Sequence, residues 1–355
     1  MGELRLMKGN EALAEAMIRA GCDAYFGYPI TPQSEVLEYL SREATQRTGM
    51  VVLQAESEIA SINMIYGAAG CGKRVMTTSS SPGISLMMEG VSYIAGAELP
   101  CVFANVNRGG PGLGTIQPSQ ADYFQAVKGG GHGDYQLIVL APNSVQEMVD
   151  FVKLGFELAF KYRNPVMLLA DGAIGQMMEK VVLFDQMERK TEKPVWATTG
   201  KEKDKDRTYI TSLFIKPEEM EQVNLRLQAK YREIEANEVR FETMNTEDAD
   251  YIFTGFGLGA RICMKAMELG REKGYKIGLV RPITVYPFPY DVYNKLADNI
   301  KGILDMEMNA GQMIEDVKLA VNGKVPVEFY GRMGGMIPDP EEILKAFEEK
   351  FIKGA

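Results

Sequence analysis

Residues 74–107 read RVMTTSSSPGISLMMEGVSYIAGAELPCVFANVN, and this segment carries the strongest indication of the fold class. Two short apolar runs, 74–79 and 101–107, lie on either side of a segment at 84–95 whose apolar residues recur at helical spacing. An apolar run, a helix and a second run of these lengths predict two parallel strands joined by a crossover helix. The chain is therefore expected to fold as an α/β protein with a parallel sheet.

The same alternation of apolar runs and helices extends along most of the chain. It predicts two doubly wound parallel-sheet domains, residues 1–188 and residues 249–355, each with helices on both faces of its sheet. Residues 189–248 interrupt the pattern, because seven consecutive charged residues at 201–207 precede a long charged helix at 217–239. We expect this middle segment to be a linker or a contact arm.

The composition excludes some classes of partner. The 355 residues include 39 Lys+Arg and 48 Asp+Glu, a formal charge of −9. A net negative charge argues against nucleic acid as the main partner, since binding to phosphates needs a basic face. No apolar run approaches the ~18 residues that span a bilayer, and the first residues lack the apolar core of a signal peptide. A cytoplasmic protein without membrane contact is expected.

Cysteine and histidine limit the chemistry of the chain. Cys22, Cys71, Cys101 and Cys263 form no C-x-x-C pair, and His132 is the single histidine. Cysteines scattered in this way are typical of reduced, buried thiols and do not predict a zinc site or an iron–sulfur cluster within the chain. Any reaction must rely on carboxylates, arginine, hydroxyls or a bound cofactor.

The loops after the first strands form the candidate site, because ligands bind outside the carboxyl ends of parallel strands. After the first strand, Thr31 and Pro32 predict a capped helix start that attracts carboxylate or phosphate oxygens, with an ordinary capped helix as the alternative. Glu56 and Glu58 lie where the second strand turns into a helix. The next helix and strand span ~18 and ~20 Å, so the hydroxyl-rich loop at 77–83 returns to the edge where Glu58 lies. The helix after Glu58 is expected to bury three isoleucines, Ile59, Ile62 and Ile65.

Arg108 follows the next strand, beside glycines that let a ligand approach the backbone. Its guanidinium can hold a carboxylate through two hydrogen bonds. An internal ion pair with Asp122 or Glu56 is an equally good interpretation. His132 lies in a glycine-rich loop and is either a substrate ligand or a residue without a role.

Two motifs resemble nucleotide- or diphosphate-binding sequences without matching them. Gly255-Phe-Gly-Leu-Gly259 follows a strand and opens a helix, but its spacing is G-x-G-x-G, and the next strand ends in Arg281 rather than an acid. Asp171-Gly172 is similar to the Gly-Asp-Gly of thiamine enzymes, yet no asparagine follows at the required interval. The sequence therefore predicts neither a nicotinamide site nor a diphosphate clamp.

Seven motifs, in order along nearly the whole chain, resemble the α subunit of the 2-oxoacid:ferredoxin oxidoreductases, most closely the branched-chain type that acts on 2-oxoisovalerate. The motifs are Tyr28-Pro-Ile-Thr-Pro, Glu56-Ser-Glu-Ile-Ala-Ser61, Ser81-Pro-Gly83, Asn107-Arg-Gly-Gly-Pro-Gly, Lys128-Gly-Gly-Gly-His-Gly-Asp134, Arg281-Pro-Ile-Thr-Val-Tyr-Pro-Phe-Pro289 and Glu307-Met-Asn-Ala-Gly-Gln-Met313. The resemblance implies a thiamine-pyrimidine-type first domain and a transketolase C-terminal-like second domain. One departure is Ser81, where relatives often have glycine.

The resemblance implies that this chain supplies the pyrimidine half of a thiamine diphosphate site. Glu58 matches the glutamate that hydrogen-bonds N1′ of the aminopyrimidine, which makes it the implied catalytic residue. Ser81, Pro82 and Gly83 are implied to contact the cofactor. Glu56, two residues before the matched position, is a second candidate for the pyrimidine contact.

The implied substrate is a branched-chain 2-oxoacid. Thr31 and Arg108 match family positions that bind its carboxylate, and His132 is a further candidate for substrate binding. The implied reaction is oxidative decarboxylation with coenzyme A to acyl-CoA, CO₂ and reduced ferredoxin.

The resemblance also implies partner subunits. A thiamine-binding β subunit is expected to bring the diphosphate clamp and Mg²⁺. A ferredoxin-like subunit is expected to carry the [4Fe–4S] clusters, and a γ subunit completes the complex.

Three alternatives remain open on the sequence. A 2-oxoglutarate-specific relative would carry the same motifs and need a second basic group near the pocket. A non-catalytic, two-domain nucleotide-binding module would bind nucleotide tightly without partners. A self-contained thiamine decarboxylase is disfavoured by the missing diphosphate clamp.

Overall fold

The computed structural model describes residues 2–189, 193–201, 203 and 206–353. The strands are β1 (Glu3–Lys8), β2 (Ala24–Gly27), β3 (Val51–Gln54), β4 (Val75–Ser79), β5 (Cys101–Asn107), β6 (Ile138–Leu140), β7 (Pro165–Asp171), β8 (Met178–Leu183), β9 (Phe241–Met244), β10 (Tyr251–Thr254), β11 (Ile277–Pro282), β12 (Thr284–Tyr286), β13 (Gly302–Glu307) and β14 (Val327–Gly331). The helices are α1 (Gly9–Arg19), α2 (Ser34–Thr48), α3 (Glu58–Gly70), α4 (Ser81–Gly96), α5 (Tyr123–Val127), α6 (Val145–Tyr162), α7 (Gly172–Gln176), α8 (Pro217–Asn237), α9 (Gly257–Glu272), α10 (Tyr290–Leu296), α11 (Met313–Val321) and α12 (Pro340–Phe347).

The larger sheet has seven strands within the described residues, in the order β12-β6-β7-β5-β4-β2-β3. Strands β2 to β7 run parallel, and β12 joins antiparallel at the edge. β5 and β7 are buried along their whole length, as expected for central parallel strands whose two faces are covered by helices. The doubly wound α/β prediction is confirmed for this domain.

The smaller sheet has five strands within the described residues, in the order β14-β13-β10-β11-β9. All pairs are parallel except that of β9 with β11. The strands predicted at 251–254 and 302–307 coincide with β10 and β13. The second α/β domain is therefore confirmed as well.

Two strand pairings have no counterpart in the sequence prediction. β1 and β8 form a separate antiparallel ribbon. β12 belongs to the C-terminal half of the chain but pairs with β6, and the Ala141 N–H donates to the Ile283 carbonyl over 2.8 Å beside it. A three-residue strand in a proline-rich stretch is too short to show a strand periodicity, so the sequence pattern could not predict it.

Helix α2 begins two residues later than predicted. Its N-cap is Gln33, because the carbonyls of Thr31 and Pro32 are engaged by side chains from elsewhere. The Thr31 carbonyl accepts from Arg108 Nη1 over 2.8 Å, and the Pro32 carbonyl accepts from Asn10 Nδ2 over 2.7 Å. The prediction that Thr31 caps this helix is wrong.

Helix α3 begins at Glu58. The Ser57 hydroxyl accepts from the Ala60 N–H over 3.2 Å, an ordinary N-cap. Of the three isoleucines predicted to be buried, Ile62 and Ile65 pack in the core, but Ile59 is 50% exposed. The exposed side of this helix is therefore partly apolar.

Gln120 joins the two domains at the start of α9. Its Nε2 donates to the Phe256 carbonyl over 2.7 Å, and its Oε1 accepts from the Met308 N–H over 3.1 Å. A Cβ atom at Gly257 would lie 3.2 Å from Gln120 Nε2, and one at Gly259 would lie 3.0 Å from Oε1. The glycines of the nucleotide-like motif thus make room for a side chain of the same protein.

No helix within the described parts of the chain is long and apolar enough to cross a membrane.

Candidate functional site

The candidate site lies at the carboxyl ends of β4 and β5, around the first turn of α4. Glu58 is on one side of this turn and Arg108 on the other. The Arg108 N–H donates to Ser81 Oγ over 3.1 Å, and Gly83 packs directly against Glu58. The structure therefore brings four predicted site residues together at one helix start.

Glu58 is buried, with 6% of its surface exposed, and sits in the first turn of α3. Its carboxylate accepts no hydrogen bond within the described ranges, and the carboxylate oxygens keep some contact with solvent. A Cβ atom on Gly83 would lie 2.5 Å from Glu58 Oε1 and would overlap Ser79 Oγ. Glycine at position 83 is thus required by the close approach of the acid.

Several buried polar atoms around this turn also have no hydrogen-bond partner. They belong to side chains at the ends of the two strands or just after them: Thr77 Oγ1, Ser79 Oγ, Ser80 Oγ, Asn105 Oδ1, Asn107 Nδ2 and Arg108 Nε. Each unsatisfied buried polar group costs about 1–3 kcal/mol, so such groups are rare and are normally satisfied by water or a ligand. Their concentration at one sheet edge is typical of a polar binding site.

Arg108 is 7% exposed, and its guanidinium is held by backbone carbonyls. Nη1 donates to the Thr31 carbonyl over 2.8 Å, and Nη2 donates to the Leu113 carbonyl over 3.2 Å. The alternative ion pairs with Asp122 or Glu56 are not formed. Neutral carbonyls orient the guanidinium without neutralising it, which leaves its charge available to an anion.

The loop after Arg108 folds back over the site. The Gly109 N–H donates to the Gln117 carbonyl over 2.9 Å. Gly114 has a φ of +61°, and a Cβ atom there would overlap the Gly109 carbonyl oxygen. A glycine is therefore needed for the loop to close on itself.

A cavity of 420 Å³ lies between the two domains beside this loop. It is lined by Ser81, Pro82, Arg108 and Asp122 from the first domain and by residues of the Met308–Gln312 loop from the second. Glu58 is not among the residues that line it. Burial raises the pKa of Asp122, while the hydrogen bond from Asn105 opposes that rise.

The remaining predicted residues lie at different distances from this centre. Thr31 contributes its carbonyl to Arg108, and its side chain is exposed. The exposed Glu56 carboxylate accepts from Ser57 Oγ over 3.0 Å. His132 packs against Tyr93, about 15 Å along α4 from its first turn. The structure therefore separates His132 from the other candidates.

Asn107 and Asp122 belong to this site, although the sequence predicted Asp122 only as a possible ion-pair partner of Arg108 and gave Asn107 no role of its own. Asn105 and Asn107 alternate along a fully buried strand, so both side chains project to the same face. Amides in a buried strand are unusual, and that pattern was an available signal. Asp122 had no comparable signal, because its contact with Asn105 joins residues 17 positions apart.

No group of three or more histidine, cysteine, aspartate or glutamate side chains that could hold a metal ion is found in residues 2–189, 193–201, 203 and 206–353.

Comparison with known proteins identifies the family. Residues 15–246 match the family described as pyruvate flavodoxin/ferredoxin oxidoreductase, thiamine diP-bdg, and residues 249–343 match pyruvate:ferredoxin oxidoreductase core domain II. The chain is 48% identical to ketoisovalerate oxidoreductase subunit VorB of Methanothermobacter marburgensis, covering 97% of each chain.

Two solved structures are also similar. The 2-oxoglutarate:ferredoxin oxidoreductase from Magnetococcus marinus, with 2-oxoglutarate, coenzyme A and succinyl-CoA bound, has a TM-score of 0.85 at 27% identity. This chain is covered to 98%, but it spans 65% of that longer chain. A split-gene transketolase, with a TM-score of 0.61 at 12% identity over 97% of each chain, shares the fold. With both domain families matched in order, this chain belongs to the pyruvate flavodoxin/ferredoxin oxidoreductase family and carries its thiamine diphosphate-binding domain.

Proposed function

We propose that this chain is the α subunit of a thiamine diphosphate-dependent 2-oxoacid:ferredoxin oxidoreductase. The complete enzyme converts 2-oxoisovalerate and coenzyme A to acyl-CoA and CO₂ and passes the electrons to ferredoxin. The observation that carries the proposal is the carboxylate of the buried residue Glu58, which accepts no hydrogen bond from the described residues and lies beside Gly83 in a thiamine diphosphate-binding domain.

The residues around Glu58 fit the pyrimidine half of the cofactor. An acid that accepts no hydrogen bond from the described residues is available to a ring nitrogen, and Gly83 lets this acid lie close to the start of α4. Thiamine diphosphate, when bound, supplies the stabilisation of the carbanion left by decarboxylation. Glu58 holds a proton at the pyrimidine N1′ position, and we assign Ser81 and Pro82, in the first turn of α4, to contacts with the cofactor.

Arg108 and Thr31 bind the carboxylate of the 2-oxoacid in this proposal. The guanidinium is buried, oriented by two carbonyls and free of any acidic partner among the described residues. Glu56 serves as the second candidate for the pyrimidine contact, and His132, at the far end of α4, is the weakest candidate for substrate binding.

The preference for a branched-chain acid over 2-oxoglutarate has two supports. The chain is 48% identical to a ketoisovalerate oxidoreductase subunit and 37% identical to 2-oxoglutarate synthase subunit KorA of Methanocaldococcus jannaschii. In addition, Arg108 is the single lysine or arginine among the described residues that line the inter-domain cavity. A second carboxylate on the substrate would find no second cation there.

The proposal requires partner subunits. The exposed sides of α3 and α4 carry large apolar side chains, namely Ile59, Met64, Leu86 and Tyr93. We assign this face to the β subunit that holds the diphosphate and Mg²⁺. The [4Fe–4S] clusters belong to a ferredoxin-like subunit, and a γ subunit completes the assembly.

Two further parts of the proposal concern organisation and location. We divide the chain into a pyrimidine-binding domain at 1–188, a linker with a long helix at 189–248 and a second domain at 249–355. All four cysteines are free thiols, which supports a cytoplasmic location because reducing compartments keep thiols unpaired.

A non-catalytic nucleotide-binding module is the competing function. Its best motif was the glycine-rich start of α9, where Gln120 occupies the space that a dinucleotide would need. That observation favours the enzyme.

The test is to purify the chain alone and together with co-expressed β, γ and ferredoxin-like subunits. We expect viologen reduction that depends on 2-oxoisovalerate, thiamine diphosphate and coenzyme A in the complex and none with the chain alone. A complex that prefers 2-oxoglutarate would contradict the substrate assignment. An isolated chain that binds nucleotide tightly would contradict the function.

A further inference from the structure

The second domain supplies one wall of the inter-domain cavity, through the loops at 308–312 and 331–337. The residues of these loops that line the cavity are all uncharged: Met308, Asn309, Ala310, Gln312, Met333 and Gly334. The charged residues of the lining, within the described part of the chain, are Arg108 and Asp122, and both belong to the first domain. The cavity therefore has a charged side and an uncharged side.

The two amide side chains of the uncharged wall are engaged in internal hydrogen bonds. Asn309 Nδ2 donates to the Gln120 carbonyl over 2.9 Å, and its Oδ1 accepts from the Gly311 N–H over 2.7 Å. Gln312 bonds two backbone groups of the first domain, one through Oε1 and one through Nε2, each over 2.8 Å. Both amides thus already have partners on their oxygen and on their nitrogen, and the side chains left to meet a ligand at this wall are apolar.

Met333 is the exposed apolar side chain of this wall. It lines the cavity, and 61% of its surface is accessible. The next two residues, Gly334 and Gly335, have φ values of +66° and +95°. A Cβ atom at Gly335 would lie 2.5 Å from Gln117 Cβ, so this turn packs directly on the loop that follows Arg108. The turn holds the Met333 backbone against the first domain, while the flexible side chain stays at the cavity.

Arg332 is one residue from the cavity but is directed elsewhere. Its Nη1 lies 2.9 Å from both carboxylate oxygens of Glu342, and it is not among the residues that line the cavity. A guanidinium paired with an acid of its own domain is not available to an anionic ligand. The chain therefore places a methionine at the cavity and turns the adjacent cation away from it.

We propose that Met333 is a specificity-determining residue, which presents an apolar surface to the hydrocarbon end of the 2-oxoacid whose carboxylate binds Arg108. The proposal rests on the proposed function, from which it takes the contact between Arg108 and the substrate. Burying a branched alkyl group against methionine is favourable, because it removes apolar surface from water. A second carboxylate at the same place would lose hydration without gaining a partner. The second domain thus takes part in the choice of substrate.

The experiment replaces Met333 by lysine in the co-expressed complex. Lysine has a similar length and brings an ammonium group to the wall where a second carboxylate would lie. We expect kcat/KM for 2-oxoisovalerate to fall about tenfold and kcat/KM for 2-oxoglutarate to rise about tenfold. The decisive quantity is the ratio of these two constants, which viologen reduction measures with each acid in turn.

Two matched variants separate specificity from other effects. Met333→Leu keeps an apolar surface of similar volume and should keep the wild-type preference. Met336→Lys adds the same charge at the other end of the same turn, where the side chain is 52% exposed and does not line the cavity. It should leave both constants unchanged. The melting temperature of all three variant complexes should stay close to that of wild type, because both methionines are largely exposed.

Each outcome decides the proposal. An unchanged ratio in an active Met333→Lys complex, equal losses with both acids, the same change of ratio in Met336→Lys, or a lost preference in Met333→Leu would overturn it while the proposed function stands. A wild-type complex that turns over no 2-oxoacid would overturn the proposed function and this inference together.

Discussion

Glu15 and Glu58 are both buried glutamates of the first domain, yet the protein treats them in opposite ways. Glu15 accepts from Arg19 Nε over 2.6 Å, from both terminal nitrogens of Arg47 over 2.6 and 2.8 Å, and from the Tyr39 hydroxyl over 3.0 Å. Glu58 accepts from no described residue. Burying a charge costs free energy unless the charge has hydrogen-bond partners. A buried acid with internal partners therefore stabilises the fold, while an acid without them is a candidate ligand-binding group.

The pKa of Glu15 reflects its partners. Burial opposes ionisation of this carboxyl, but the hydrogen bonds from Arg47 and Arg19 outweigh it and lower its pKa to about 2. The carboxylate is therefore charged at every physiological pH and anchors α1 to α2. Glu58 carries the same carboxyl group, but no described residue donates a hydrogen bond to it.

The sharpest way to break the comparison is Glu58→Gln in the assembled complex. Glutamine has nearly the same shape as glutamate, but its amide cannot exchange a proton with the pyrimidine as a carboxyl can. Turnover should therefore fall about 10³-fold, within the range for loss of a general acid–base group. The melting temperature should not decrease, because no internal contact is lost. Viologen reduction and thermal melting measure the two quantities. The matched control is Glu56→Gln, two residues away and exposed, which should stay within about twofold of wild type. A reversed pattern would move the pyrimidine contact to Glu56.

The second test is Glu15→Gln, which should lower the stability of the protein and leave its turnover unchanged. Loss of the charge should lower the free energy of unfolding by about 3 kcal/mol, the value that corresponds to a pKa lowered from 4.5 to about 2. In a domain of this size that lowers the melting temperature by about 6–12 °C. Turnover per folded complex at moderate temperature should be unchanged. A loss of turnover without a loss of stability would place Glu15 in the site and remove the contrast.

The smallest effect is a pH dependence that sharpens the same contrast. Because the pKa of Glu15 is lower in the folded state than in the unfolded state, its stabilisation is complete above pH 4.5 and is lost as the pH falls toward about 2. The difference in melting temperature between wild type and Glu15→Gln should shrink over that interval. Thermal melts of the two proteins at several pH values measure it. A difference that is as large at pH 2.5 as at neutral pH would show that packing, and not charge, holds the helices together.

Much of the fold follows from local pattern. Strands and helices in both domains were predictable because apolar periodicity and glycine punctuation are properties of short segments. β12 escaped prediction because its place depends on pairing with β6, almost 150 residues earlier. The start of α2 was misplaced for a similar reason, since side chains from distant segments take the carbonyls of Thr31 and Pro32.

The site was predictable in part. Parallel topology brings strand ends to one edge, so the proximity of Glu58, Gly83 and Arg108 followed from the order of strands. Whether Arg108 pairs with an acid, and whether the glycines at 257 and 259 are open, could not follow. The partners of Arg108 and the space at the two glycines depend on which side chain occupies each position in the folded protein. Asp122 bonds Asn105 and Gln120 bonds the Phe256 carbonyl, and both contacts join residues that are distant in the sequence.

The sequence by itself determined the layered α/β architecture and the edge at which chemistry is possible, because hydrophobic spacing and strand direction are encoded locally. Tertiary structure alone decided which polar groups at that edge are satisfied. Glu15 accepts hydrogen bonds from two arginines, and Gln120 packs against the glycine-rich turn of α9. Glu58 accepts no hydrogen bond from the residues that the structure describes. Hydrogen-bond satisfaction is a property of the packed whole, and it separates the residues that hold this protein together from those available to a ligand.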